Sequence, residues 1–233
     1  MAYKRQILPE AWATGDLLTA QLESIGIRVT GRIKILEEVN IEDTLVAASR
    51  EGIMLPDYRI LSLLVDWIQV HGERVNVDRL VRIVDAISEM RVRVFWAAIA
   101  QWMKADSRYK KLAQLYSGKK IDLLESGTDF LITKNGLDER FVKTFLRIPN
   151  KTLRHRLSDI LGPEDLARKH LAFRYRVLIG PTYRADMMAY LEKHPKASAS
   201  EVARATYGSF ASAWQAKKDF EVMQSVRKKR SMA

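Results

Sequence analysis

Four histidines, paired carboxylates near the C-terminus and one Gly-Ser turn are the residues of this 233-residue chain whose chemistry could matter. Gly208-Ser209, then nine intervening residues and Asp219-Phe220-Glu221, has the residue types for nucleotidyl transfer: a turn to hold a triphosphate and two acids to bind magnesium. That chemistry needs the acids on a strand with a further strand behind them. Here the intervening residues read as helix, so the match is set aside. His71, His155, His170 and His194 have no spacing suited to a shared metal, and no HExxH or DxD pattern occurs. His170 sits on an apolar face and reads as a hydrogen-bonded packing residue. There is no GxGxxG, GxxxxGK[ST] or GxSxG motif. A carboxylate pair assembled from distant positions is the route to an enzyme that spacing does not test. The expectation is a protein without catalysis, cofactor or metal.

Charge is the stronger signal. Residues 1–145 hold 21 Lys and Arg against 20 Asp and Glu, whereas residues 146–233 hold 18 against 8. A near-neutral body joined to a cationic module is what a polyanion binder would look like. Apolar residues make up 47% of the chain, enough to offset the entropy of ordering a backbone. The absence of cysteine removes disulfides and thiolate chemistry and fits a reducing compartment, so a cytoplasmic location is expected. The densest apolar run, Ile60 to Val70, is interrupted by Ser62, Asp66 and Gln69, and the basic N-terminus lacks the apolar core of a signal peptide. No membrane span is expected.

The elements that would position a site read as helices. Residues 1–58, punctuated by Pro and Gly, form an N-terminal arm of uncertain structure, in which Ile25–Thr30 could be a strand or extended arm. Across 59–145, Leu61, Leu64, Val65 and Ile68 make one stripe at helical spacing. Val77, Leu80, Val81, Val84 and Ile87 make a second, and Val94, Phe95, Ala98, Ile99 and Trp102 a third. Trp67, Trp96 and Trp102 are candidate core residues. Asp129–Thr133 is a plausible strand or turn. Residues 146–180 form a basic helical connector: Leu153, Leu157, Ile160 and Leu161 share a helical face up to Gly162-Pro163, and a further helix carries Leu166, His170, Phe173 and Val177. Phe141–Leu157 could itself be helix, turn and basic helix, with Lys151, Arg154 and Arg156 as a second basic face; a solvated charged face is the plain alternative.

Residues 181–233 read as an amphipathic helix with Met187, Met188 and Leu191, a stop at His194-Pro195, and a capping box at Ser198–Glu201. A short helix Ser200–Thr206 follows, then a turn at Tyr207-Gly208-Ser209 and a helix from about Phe210 to Phe220. In Arg184–Leu191, His194–Thr206 and Ser209–Phe220 the chain resembles the winged-helix and helix-turn-helix DNA-binding proteins, the broad group of ArsR-like and MarR-like regulators. The small Ala203 and the glycine at the turn agree with that likeness. Lys217 stands where such a helix usually buries an apolar residue, and the few residues after Phe220, with Arg227–Arg230 among them, imply a wing reduced or absent.

The resemblance implies that Ser209, Phe210, Ser212 and Gln215 contact base edges in the major groove while Arg204, Lys217 and Lys218 hold phosphates. The expected fold class is therefore mainly α, a helical body with a C-terminal helix-turn-helix unit. The expected function is DNA binding of a transcription-regulator type on double-stranded DNA, with a homodimer expected by analogy. The alternative is a non-catalytic protein–protein adaptor with a basic helical surface.

Overall fold

A computed structural model describes residues 5–29, 36 and 38–231, without the side chains of 227–231; these residues are mainly helical. The chain divides into two compact units, Leu8–Leu166, and Ala167–Ala233 together with Met1–Ile7. No described helix is long and apolar enough to cross a membrane.

In the larger unit the helices are α1 (Gly15–Ser24), α2 (Ile41–Met54), α3 (Tyr58–His71), α4 (Val77–Ala86), α5 (Met90–Trp102), the single turn α6 (Lys110–Ala113) and α7 (Thr128–Asn135). Asn40, Asp57 and Asn76 start α2, α3 and α4, each side chain accepting a backbone N–H of the first turn. The three apolar stripes fall on α3, α4 and α5, and α2 packs against all three. Trp67 and Trp96 are fully buried with their indole N–H groups satisfied, the first by the Ile25 carbonyl at 2.8 Å and the second by Ser49 Oγ at 2.9 Å. Truncating either to Ala would cost about 3–5 kcal/mol. Trp102, at the end of α5, is only partly buried.

Several segments differ from their expected form. Residues 15–24 and 41–54, within the stretch expected as an arm, are the helices α1 and α2. Ile27 makes an isolated bridge with Ile160, and Thr30 lies outside the described residues. Asp129–Thr133 lies in α7, a helix bounded by Gly127 and Gly136, both at positive φ, which start and stop it. The strands are instead β1 (Ile121–Asp122) and β2 (Leu146–Arg147), paired in parallel. The expected basic helix through Leu153–Leu161 is absent, and so is a helix over Phe141–Phe145. Residues 148–162 are turns and irregular chain, with bridges at Pro149 and Ile160 and one 3-10 turn at Leu157–Asp159, and the Arg156 N–H donates to the Asp66 carboxylate rather than to a carbonyl of its own segment. Lys151, at φ 71°, takes the left-handed conformation that ends any helical run.

The smaller unit contains α9 (Leu171–Ile179), α10 (Tyr183–Lys193), α11 (Ala199–Ala205) and α12 (Phe210–Ser231); α8 (Pro163–Lys169) carries the division between units. The helix expected to run unbroken through His170 is interrupted there, because His170 Nδ1 accepts the Phe173 N–H at 3.1 Å and starts α9 as its cap. Arg176 on α9 and Asp186 on α10 form a buried two-point pair at 2.8 and 2.9 Å. Met187, Leu191, Val202, Ala203, Ala213, Ala216 and Phe220 make the core beneath α10, α11 and α12.

His71 is buried, its Nε2–H donating to the Leu161 carbonyl at 2.9 Å, and burial pushes its pKa from 6.5 down to about 4. The unfolded chain takes up a proton that the folded chain refuses, so stability is full above pH 6.5 and falls as the pH drops toward 4, by about 3 kcal/mol. Melting curves of the wild type and His71→Gln should converge toward acid; parallel curves would contradict the assignment. For the buried Arg176–Asp186 pair, Asp186→Asn should cost about 3 kcal/mol by stranding Arg176, and the double change Arg176→Met/Asp186→Leu should cost less. Denaturant titrations in which the double variant is the weaker would count against that reading.

Candidate nucleic-acid interface

α12 is placed by its short residues. Ala213, Ala216 and Phe220 recur at steps of three and four and face α10 and α11, so the opposite side of the helix is left outward. The link from α11 to α12 is four residues, Thr206–Ser209. Within it Tyr207, not the glycine, takes the left-handed conformation, at φ 55°. Gly208 answers a steric demand instead: a Cβ there would sit 2.0 Å from Cε of the fully buried Met187. The Ser198–Glu201 capping box forms as expected, with Ser198 Oγ accepting the Glu201 N–H and the Glu201 carboxylate accepting the Ser198 N–H. That backbone bond holds the Glu201 carboxyl below its ordinary range, with Arg204 and Lys217 adding to the effect.

The residues expected to touch DNA occupy different roles. Ser209 Oγ accepts the Ser212 N–H at 3.0 Å and so caps α12, and the two hydroxyls bond each other at 2.8 Å. Phe210 and Ser212 are exposed on the first turn. Gln215 is exposed, but its amide nitrogen donates to Asp219 Oδ1 at 3.0 Å, and Asp219 also pairs with Arg184 on α10 at 2.8 Å. Lys217 lies at the edge of the core, its ammonium donating to the Ala197 carbonyl at 2.7 Å. Lys218 is exposed and stacks on Trp214, 3.7 Å from the ring centroid. Arg204 is exposed on α11. The outward stripe also carries Trp214, Val222 and Val226, each four residues or a multiple of four from Phe210. The alanine spacing would have assigned Trp214 to the surface had alanines been read as core.

The second basic face lies in the larger unit. Lys151 and Arg154 line a cleft of about 540 Å³ together with Arg140, His155, Asn150 and Asp138. Arg156 stands apart from that lining and pairs loosely with Asp159 at 3.7 Å. Behind the cleft, fully buried Asp66 lies 3.3 Å from His155 Nδ1 and 3.5 Å from Arg140 Nη1. Sequence spacing gave no sign of Arg140 or Asp66, because both reach this place from other parts of the chain.

No protein-family model matches the chain, and no curated protein or solved structure does either.

Proposed function

We propose that the C-terminal unit binds duplex DNA, with α11 and α12 acting as a helix-turn-helix and the outward start of α12 entering the major groove. The observation that carries the reading is the division of α12 into two faces. One is fixed by Ala213, Ala216 and Phe220, and the other, carrying Phe210, Ala211, Ser212, Trp214 and Gln215, is exposed to a partner over about one and a half helical turns. A helix of this diameter fits the major groove, and Phe210 offers the apolar contact that a thymine methyl takes. Arg204 and Lys218 are the cations best placed for phosphates, since Lys217 is already engaged by Ala197. Two copies reading two half-sites would raise both affinity and discrimination, so a homodimer belongs to the proposal. The functional class is a transcription-regulator-like protein.

A second reading draws on one feature. Phe210, Trp214, Val222, Met223 and Val226 are all exposed on α12, an apolar content that suits a protein partner. An adaptor of this kind would leave DNA untouched.

Fluorescence anisotropy of labelled duplex against a salt series separates the two. DNA binding requires log K to fall linearly with log salt, with a slope reduced by about one for each of Arg204→Glu and Lys218→Glu. Absence of duplex binding at low salt, or binding indifferent to both charge reversals, rejects the DNA reading.

A further inference from the structure

We propose that the cleft between residues 138–140 and 150–155 is a phosphate-binding site, one that does not rest on the DNA-binding reading. The ligand chemistry is an oxyanion of a phosphoester, carried by a small phosphorylated molecule or by a nucleic-acid backbone.

Hydrogen-bond accounting carries the argument. Of the acceptors around the cleft, the Asp138 carboxylate, the Leu153 carbonyl, Asn150 Oδ1 and one Asp66 oxygen are occupied from within, and the exposed Glu139 carboxylate is the acceptor left on the lining. Arg140 Nε and Nη2 donate to the two Asp138 oxygens at 2.9 and 2.6 Å, and Nη2 also donates to the Leu153 carbonyl at 2.6 Å. Asn150 Oδ1 accepts the Lys151 N–H at 2.9 Å, and one Asp66 oxygen accepts the Arg156 N–H. What the segment leaves toward the cleft is a set of donors: the Asn150 amide, the Lys151 ammonium, the Arg154 guanidinium and the His155 ring. Lys151 and Arg154 make no ion pair with a described carboxylate. A ligand that only accepts, and bears negative charge, satisfies this set; a phosphate does both.

The segment is also held in place before any ligand arrives. The Asn150 N–H donates to the Gly136 carbonyl at 2.9 Å, Thr152 N–H to Pro149 at 3.2 Å, and the Leu153 and Arg156 backbones are anchored to Arg140 and Asp66. Preorganisation of this kind lowers the entropy cost of binding. Lys151 keeps a left-handed φ of 71°, which a glycine would take without the steric cost a lysine bears. A cation held at a strained position suits a binding role better than a packing one. The cleft volume of about 540 Å³ falls in the range of small-ligand sites. Glu139, exposed on the same lining, opposes the anion and supplies a control.

The test is calorimetric titration of the full chain with inorganic pyrophosphate, repeated with adenosine monophosphate and with a short oligonucleotide. Pyrophosphate should bind with a Kd at or below the millimolar range. Arg154→Gln should weaken it about tenfold, and Lys151→Gly should weaken it while leaving the melting temperature equal or higher, which separates binding from folding. Glu139→Gln should tighten it about twofold or more by removing a like charge. Competition of pyrophosphate with the oligonucleotide, lost in Arg154→Gln, would assign the phosphate to a nucleic-acid backbone; pyrophosphate and adenosine monophosphate binding without such competition would assign it to a small phosphoester. No pyrophosphate binding, or binding unchanged in both Arg154→Gln and Lys151→Gly, overturns the proposal.

Discussion

Asp66 lies on α3 with its side chain fully buried, and a carboxylate there without partners would cost several kcal/mol. Its partners come from far along the chain: the Arg156 N–H, Arg140 and His155. One buried charge thereby decides how residues 150–156 run, because satisfying it takes a backbone donor away from the helix that the apolar spacing favours. In the smaller unit the same rule places α9 against α10, where Arg176 and Asp186 can be buried only as a pair. Both candidate surfaces follow from this constraint. The cleft is bordered by a segment that Asp66 holds, and α12 rests on α10, which Asp186 holds.

The two surfaces present different chemistry. α12 offers an apolar stripe flanked by a stacked lysine, with its polar residues engaged in capping and side-chain bonds. A surface of that kind discriminates by shape and apolar contact as much as by hydrogen bonding. The cleft offers the donors of residues 150–155 beside the single exposed carboxylate of Glu139, and would recognise charge before shape. Each surface belongs to its own unit, the cleft to the larger and α12 to the smaller.

Legibility in the sequence followed periodicity and local capping. The stripes of α3, α4 and α5 are visible because each buries one face, and the Ser198–Glu201 box is visible because its partners are three residues apart. α2 was hidden for the opposite reason. It is buried on nearly every side, with Glu42, Thr44 and Ser49 inside among Leu45, Val46 and Ala48, so no polar face marks its period. Residues 153–161 carry helical spacing without a helix, since a long-range acceptor outcompetes the local ones. On α12 the packing face is built of two alanines and Phe220 while the larger Trp214 is exposed, so side-chain size is no guide to which side of this helix is buried. The cleft was out of reach, because Asp66, Arg140 and His155 meet only through the fold.

The central claim is that the outward start of α12 is the surface that meets DNA. Backbone amide chemical-shift mapping of the full chain with a duplex tests it most directly. The account predicts the largest changes at residues 204–218. Duplex-induced shifts confined to the larger unit, with α11 and α12 unmoved, would contradict it.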